Sequence, residues 1–330
     1  MSAESGRISP RSWLAVQHDP PVLKTEWVVD RDLTGAAFLH DARRRGGWDD
    51  VGWERLLRHG GMHLDRRRLD ASSPLVDVAA GTRVVAYAFV REPAPLTLPS
   101  SVVLLDEQGL VAVNKPPFFT VQGSRASRLT SLERALREML HCPTLTPAHR
   151  LDRETSGVLV FARDGRAAGV VGKQFAARSI RKEYLALVHP VPGSPAWNVE
   201  GRLVRIAHPA HSLFELRSDG DDGQTSRTSF EVVEVLGARA LVRAFPHTGR
   251  THQLRVHLAS GGTPIVGDAL YGRGWVDGAA WSADRLMLHA RRLVLRMEAR
   301  GPERELCAPI PADFPWGSGE EMGSAVTTST

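Results

Sequence analysis

A long series of short apolar runs, from residue 101 onward, is the feature that most constrains the fold. Runs of this kind, bounded by glycine, proline or polar residues, are typical of β-strands. One pair of runs predicts a hairpin across Gln108–Gly109, within SVVLLDEQGLVAVNKPP. Further strands are predicted in GVLVFARD, RKEYLALVHP, RTSFEVVEVLG, ARALVRAFP, HQLRVHLA and RLVLRM. Many strands and few helices predict an α+β fold built on a mixed, largely antiparallel β-sheet.

Helices are predicted at only two places in the same region. In TSLERALREML, Thr130 or Ser131 is the candidate N-cap, because a side-chain hydroxyl there can accept a hydrogen bond from a free backbone N–H. RAAGVVGKQFAAR is also predicted to be helical. We therefore place the main domain at residues 96–314, after the proline-containing linker REPAPLTLPS. The Gly/Ser/Thr-rich tail, 315–330, is expected to be disordered.

The first 95 residues have a different pattern. LTGAAFLHDARRR and DDVGWERLLRHGG predict two helices, the second with acidic residues at its start and glycines after its end. MHLDRRRLDASSPLVDVAAGTRVVAYAFV predicts a strand, a tight basic turn, a loop and a strand. This order resembles the S4-like RNA-binding module, which implies that residues 1–95 bind RNA. The alternative is a small α+β accessory domain without an RNA role, and the sequence leaves both open.

Composition sets broad limits on function. The 330-residue chain is 42% hydrophobic, and no run approaches the roughly 18 apolar residues of a membrane helix. Its first residues lack the apolar core of a secretory signal, and Cys142 and Cys307 are too few for a disulfide framework. These features predict a cytoplasmic protein without a membrane partner, and a monomer is the expected state. The formal net charge of +5 favours a nucleic-acid partner only slightly.

Four segments combine chemically useful side chains with apolar strands: NKPPFFTVQG (114–123), HRLDRETSGVLVFARD (149–164), RKEYLALV (181–188) and PHTGRTHQLRVHLASGGTPIVGDALYG (246–272). A fifth, RLMLHARRL (285–293), follows. In their order and in their residue sequences, these segments resemble those of the RluA-type RNA pseudouridine synthases over about residues 101–310. The resemblance implies isomerisation of uridine to pseudouridine in RNA by the domain at 96–314, with no cofactor and no metal ion. The chain departs from the family pattern at Glu154, where aspartate is usual, and at the bulky Phe118 and Phe119.

Asp152 is the candidate nucleophile. A carboxylate can serve as a nucleophile only when it is ionised, and neighbouring cations oppose the rise in pKa that burial causes. Asp152 lies between Arg150 and Arg153 in the sequence. The resemblance implies that Asp152 is the catalytic aspartate and that Arg255 is its ion-pair partner. The alternative for an aspartate in a basic turn is a surface ion pair or a cap.

Tyr184 and Arg255 complete the predicted catalytic set. The resemblance implies that the Tyr184 ring stacks on the target base, with its hydroxyl near the proton to be removed; the alternative is a core tyrosine. On a strand, the alternation in HQLRVH would place Arg255 with Gln253 and His257 on one polar face, suited to a site. The alternative for Arg255 is a surface arginine on an edge strand.

The predicted substrate-binding residues are Arg150, His149, Leu288, Lys182 and Gln253. Base flipping is required because the reacting atoms of a uridine cannot be reached inside a helix. The resemblance implies that Arg150 helps hold the base out of the RNA stack and that Leu288 forms an apolar wall against it. A phosphate clamp or a salt bridge is the alternative for Arg150, and core packing is the alternative for Leu288.

Structured RNA is the expected partner, with ribosomal RNA preferred to tRNA. One rival is a binding protein, such as an RNA chaperone or ribosome-assembly factor that keeps the fold without chemistry. A second rival is a metal-dependent nuclease, which would require a cluster of acidic residues. Among His149, His252, His257 and His289, the pair His252 and His257 would project to opposite faces of the predicted strand. We therefore expect no metal site.

Overall fold

The computed structural model describes residues 22–69, 76–94, 96–207, 212–218, 220, 222–272 and 283–314. The chain divides into two compact units. The first contains the described residues up to Leu98 together with Thr120–Pro143, and the second contains Pro99–Phe119 and the described residues from Thr144 onward. The domain division at residues 95 and 96 stays a prediction, and the tail predicted to be disordered, 315–330, lies outside the described residues.

The first unit is a small α+β arrangement. Its strands are β1 (Val22–Val28), β2 (Met62–Leu64), β3 (Arg67–Leu69) and β4 (Arg83–Phe89), and its helices are α1 (Gly35–Gly46), α2 (Asp50–His59) and α3 (Leu132–Met139). The described strands pair antiparallel in the order β1-β4-β2-β3. The Asp49 side chain accepts a hydrogen bond from Gly52 N at the start of α2, and Gly60 ends that helix in a left-handed conformation. The predicted order of helices and strands is confirmed here.

The second unit is organised around one large sheet. Its strands are β5 (Val103–Glu107), β6 (Leu110–Lys115), β7 (Thr146–Pro147), β8 (Ser156–Ala162), β9 (Arg181–Val188), β10 (Ala196–Ile206), β11 (Leu213–Arg217), β12 (Gln224–Leu236), β13 (Arg239–Pro246), β14 (Leu288–Arg296) and β15 (Glu303–Cys307). In the described part of the chain, these eleven strands follow the order β11-β10-β12-β13-β9-β14-β8-β6-β5, with β15 beside β14 and β7 beside β8. Every pairing is antiparallel except that of β8 with β14, which confirms the predicted mixed, largely antiparallel sheet.

Local sequence explains most of these elements. All seven residues of β8 are buried, as its continuous apolar run predicts. Gln108 and Gly109 both have positive φ angles, 52° and 76°, which matches the tight turn of a two-residue hairpin. Ser131 caps α3 by accepting from Arg134 N. The helix α4 (Gly165–Ala176) begins in the same way, because the Asp164 side chain accepts from Ala167 N.

The prediction of a strand in HQLRVHLA is wrong, because the segment forms the helix α5 (Gln253–Ser260). Its residues from Gln253 to Leu258 are all buried. Alternation of polar and apolar residues identifies a strand when one face of that strand is exposed to water. In a segment that is buried on all sides, the same alternation does not distinguish a strand from a helix. The helix places Leu254 and Leu258, four residues apart, in the core cluster of this unit.

A core cluster of the second unit lies on its central strands. β9 and β13 contribute fully enclosed residues to it, including Leu185, Leu187, Leu241 and Val242. The chain segment that carries Asp152 enters β8 at its first residue, next to β14. None of the described helices has the length and apolar character needed to span a bilayer.

Candidate active site

Asp152 lies on a tight turn immediately before β8. Thr155 N donates a hydrogen bond of 3.1 Å to the Asp152 carbonyl, which closes the turn. The neighbouring Leu151 is buried, whereas the Asp152 side chain keeps 25% of its surface exposed. The turn therefore fixes the backbone of Asp152 while its carboxylate remains accessible.

Lys115, the last residue of β6, stabilises this turn through hydrogen bonds to its backbone. Its fully buried Nζ donates hydrogen bonds to the carbonyls of Pro116, Arg153 and Thr155 at 2.9, 3.0 and 2.7 Å. Burial lowers the pKa of Lys115 to about 7, against the opposing influence of the nearby carboxylates. Lys115 was absent from the predicted site set, although a lysine that closes the apolar strand LVAVNK was a signal for it.

Arg255 joins three carboxylates. Its Nε and Nη2 donate to the two oxygens of Asp268 at 2.8 and 2.7 Å, and both side chains are buried. Its Nη1 is also buried but makes no hydrogen bond within the described part of the chain. This nitrogen lies 3.8 Å from Asp152 Oδ2 and 3.9 Å from Glu154 Oε2.

The surroundings keep Arg255 charged. Burial disfavours its charge, yet the hydrogen bonds to Asp268 and the carboxylates of Asp152 and Glu154 raise its pKa above the ordinary value. Asp268 was also absent from the predicted set. The signal was present, because Asp268 is the only acidic residue in residues 246–272, and an enclosed arginine requires an anionic partner.

Tyr184 lies in the middle of β9, paired with Ala244 on β13 and Ala290 on β14. Its ring packs against the core cluster of the second unit. Burial, with a contribution from the charge of Asp152, raises the pKa of Tyr184 above its ordinary value, so its hydroxyl stays protonated. Asp152 and Tyr184 therefore share one electrostatic environment.

Lys182 and Gln253 organise the loop that precedes α5. Lys182 Nζ donates to the Thr248 carbonyl at 2.9 Å, and burial lowers the pKa of Lys182 to about 8. Gln253 Oε1 accepts hydrogen bonds from Thr248 Oγ1 and Arg250 N at 2.7 and 3.0 Å. Gln253 Nε2 donates to the Arg227 carbonyl at 3.0 Å. Both side chains thus bind the protein itself in this structure.

The remaining predicted substrate-binding residues have different environments. Arg150 is exposed. His149 Nε2 accepts a hydrogen bond from Val160 N at 3.1 Å, and its ring lies 5.0 Å from that of Phe175. Burial lowers the pKa of His149 to about 3. Leu288 is 3% exposed and belongs to the core cluster.

The histidines singled out in the sequence are separated by the fold. His257 is in α5 and shares a hydrogen bond of 2.8 Å with Ser226, and His289 is in β14 and bonds Ser156 at 2.9 Å. His252 and His257 do not lie on opposite faces of a strand, as the sequence predicted, because His252 precedes a helix and His257 lies within it. Throughout the described residues, no group of three or more His, Cys, Asp or Glu side chains is arranged to hold a metal ion.

Known proteins resemble the chain over this same region. Residues 109–260 match the family model described as RNA pseudouridylate synthase. Ribosomal large subunit pseudouridine synthase C of Vibrio cholerae is 31% identical over 271 residues, which covers 78% of this chain and 84% of the relative. The protein of the same name from Escherichia coli K12 is 30% identical over 273 residues, with coverages of 78% and 83%.

Solved structures give the same result. Human RNA pseudouridylate synthase domain containing 4 superposes with a TM-score of 0.53 at 29% identity, covering 64% of this chain and 88% of that one. Human RNA pseudouridylate synthase domain containing 1 superposes with a TM-score of 0.54 at 29% identity, covering 65% and 87%.

Proposed function

The chain belongs to the RluA-type family of RNA pseudouridine synthases, and from this premise we propose that Asp152 is its nucleophile and large-subunit ribosomal RNA its substrate. Pseudouridine synthesis is an isomerisation. The bond from ribose C1′ to uracil N1 breaks, a bond from C1′ to C5 forms, C5 loses its hydrogen and N1 gains one. The reaction therefore requires a group that attacks the nucleoside and a group that handles the proton.

The observation that carries this proposal is the arrangement of Arg255. Two of its nitrogens are fixed by Asp268, and the third, buried and without a hydrogen bond among the described residues, lies 3.8 Å from the carboxylate of Asp152. A fixed cation at this distance pairs with the carboxylate and restrains its position. Asp152 can then act as a nucleophile, because its partly exposed side chain is accessible to the substrate.

We propose that the ring of Tyr184 stacks on the face of the base, with its hydroxyl near the C5 hydrogen. The raised pKa of Tyr184 keeps this hydroxyl neutral beside Asp152, so it can take the C5 proton only while it passes its own hydrogen on towards N1. The target uridine must leave the RNA stack to reach Asp152. We assign contact with the RNA strand from which the base is flipped to Arg150, which is exposed and lies two residues before Asp152.

The names of the relatives support ribosomal RNA as the substrate. The proteins from Vibrio cholerae and Escherichia coli are both named for the large ribosomal subunit. We rank tRNA second. A ribosomal RNA substrate fits a cytoplasmic protein that acts during ribosome assembly.

Purified protein on transcribed large-subunit ribosomal RNA and on tRNA tests this proposal. We expect pseudouridine in the ribosomal transcript, and we expect Asp152→Asn to lower kcat by at least about 1,000-fold, as loss of a nucleophile does. Glu154→Gln is the matched control, because it removes a similar charge from the same turn at a similar distance from Arg255. It should retain activity within about tenfold of wild type, on the scale of one exposed charge interaction. An Asp152→Asn protein that keeps a tenth of wild-type turnover would contradict the assignment.

A further inference from the structure

His252 and Tyr271 form a hydrogen-bonded pair beside Arg255. His252 Nδ1 lies 2.8 Å from the Tyr271 hydroxyl, and the Arg255 guanidinium carbon lies 5.3 Å from the centre of the Tyr271 ring. His252 immediately precedes α5 with a φ of 56°, a left-handed conformation that is uncommon for residues other than glycine. Such backbone conformations cluster at sites that bind ligands. The His252 side chain is only partly buried, so a ligand can reach it.

The hydrogen bonds of Tyr271 allow two arrangements of the hydrogen on His252. Phe214 N lies 3.1 Å from the Tyr271 hydroxyl, and a backbone N–H can only donate, so the hydroxyl oxygen accepts there. When the hydroxyl donates to His252 Nδ1, the hydrogen left without an acceptor among the described residues is the one on His252 Nε2, where a ligand can accept it. In the reverse arrangement it is the hydroxyl hydrogen of Tyr271. We assign the first arrangement, in which the neutral imidazole carries its hydrogen on Nε2 and this nitrogen is a donor.

The charges around His252 come from three segments. The carboxylates of Asp152 and Glu154 lie on the turn before β8, Arg255 lies on α5, and Asp268 lies in the loop after that helix. Burial has the largest effect and lowers the pKa of His252, and the charge of Arg255 lowers it further. The three carboxylates raise it, but the pKa remains below its ordinary value. The ring is thus neutral at pH 7 and offers a donor without placing a second cation against Asp152.

We propose that His252 contacts the substrate by donating from Nε2 to an oxygen of the target nucleotide, with Tyr271 as a positioning residue that holds the imidazole in this tautomer. This inference rests on the proposed role of Asp152, because it assumes that the target nucleotide binds at that carboxylate. Phosphate, ribose and base carbonyl oxygens of RNA are all acceptors that a fixed, neutral N–H donor can bind.

The test combines kinetics with nitrogen NMR of the imidazole. His252→Asn, which tolerates a left-handed backbone, is expected to lower kcat/KM about tenfold, on the scale of one lost hydrogen bond. His141→Asn is the matched control, because His141 has a φ of 49° but is exposed and belongs to the first unit. It should match wild type. In wild type the His252 signals should report hydrogen on Nε2, and Tyr271→Phe should raise the pKa of His252, because it removes a hydrogen bond that favours the neutral ring.

Two results would overturn the inference. One is a kcat/KM for His252→Asn within twofold of wild type, and the other is a wild-type spectrum with the hydrogen of His252 on Nδ1. Asp152→Asn, measured in parallel, separates the two proposals. If Asp152→Asn still forms pseudouridine, the assignment of the nucleophile is wrong. If Asp152→Asn is inactive while His252→Asn is fully active, only the role of His252 is wrong.

Discussion

At the scale of single residues, the site depends on how Arg255 divides its five N–H donors. The paired bonds to Asp268 fix the plane of the guanidinium, and that plane directs Nη1 towards Asp152 and Glu154. Lysine could not replace it, because a single ammonium lacks this planar fork. Asp268 therefore influences Asp152 without touching it.

Asp268→Asn tests this dependence. The substitution keeps the size of the side chain but leaves the buried Arg255 without its closest counter-charge. We expect the free energy of unfolding to fall by about 3 kcal/mol, as for a broken buried ion pair, and kcat to fall at least about tenfold because Nη1 is no longer held. Urea unfolding and single-turnover rates on ribosomal RNA measure the two effects.

Arg285 and Asp313 offer the control, because they form another two-bond pair, at 2.5 and 2.8 Å. Asp313→Asn should cost stability with a smaller loss of kcat. Equal losses of kcat in both variants would mean that the activity depends on the overall stability of the protein and not on the orientation of the Arg255 guanidinium.

Only part of this arrangement could be predicted from the sequence. Asp152 and Arg255 were singled out because each lies in a long, recognisable string of residues, and their roles stay proposals. Asp268 and Lys115 are unusual residues in their segments, but the sequence does not identify their partners. Each acts through buried hydrogen bonds to groups elsewhere in the chain, and no local pattern encodes those contacts.

At the scale of elements, the parallel contact between β8 and β14 determines where the turn of Asp152 begins. Gly157 makes this contact possible. Its φ is 115°, and a Cβ at this position would lie 2.2 Å from the Ala290 carbonyl oxygen. Only glycine combines that backbone conformation with that close approach.

Gly157→Ala is therefore expected to destabilise the protein by about 3 kcal/mol, as backbone strain and a steric clash add together. Gly172→Ala, in the exposed interior of α4, should instead raise stability by about 1 kcal/mol, because a Cβ meets nothing within 4 Å there. Thermal or urea unfolding of both variants measures the difference. A Gly157→Ala protein as stable as wild type would show that β8 and β14 can separate without cost.

The elements that the sequence predicted correctly are those with local causes. The hairpin at Gln108–Gly109 and the cap at Ser131, one of the two candidates, each depend on residues within one turn of the chain. The helix α5 was predicted as a strand because its environment is enclosed on every side. The periodicity of polar residues reports secondary structure only when one face of the element is exposed, and this segment has no exposed face.

At the scale of the whole molecule, the first unit is assembled from two separate parts of the chain. Thr120–Pro143 joins it through tertiary hydrogen bonds, such as the one between His59 and Ser127 at 2.8 Å and the one from Arg68 to the Ser124 carbonyl at 2.6 Å. A reading of the sequence in order could not predict this grouping, because it depends on residues more than fifty positions apart.

We propose that the basic turn of this unit binds RNA. Arg66 is exposed in the turn between β2 and β3 and Arg67 is exposed at the start of β3, whereas Arg44 bonds Asp41 at 2.9 Å. Changing Arg66 and Arg67 together to glutamine should weaken RNA binding and lower the salt slope by about 1.4 to 1.8, as loss of two phosphate contacts requires. Arg44→Gln, which removes an arginine already paired with a carboxylate, should change the slope little. Equal slopes for wild type and the Arg66/Arg67 double variant, in binding measured across a salt series, would contradict an RNA role for this turn.

The most direct test of the central proposal is a pseudouridine map of total RNA from cells lacking this gene, complemented with wild type or with Asp152→Asn. We predict that one or a few positions in large-subunit ribosomal RNA lose pseudouridine and that wild type alone restores them. Restoration by Asp152→Asn would contradict the proposed nucleophile. Loss confined to tRNA would contradict the proposed substrate.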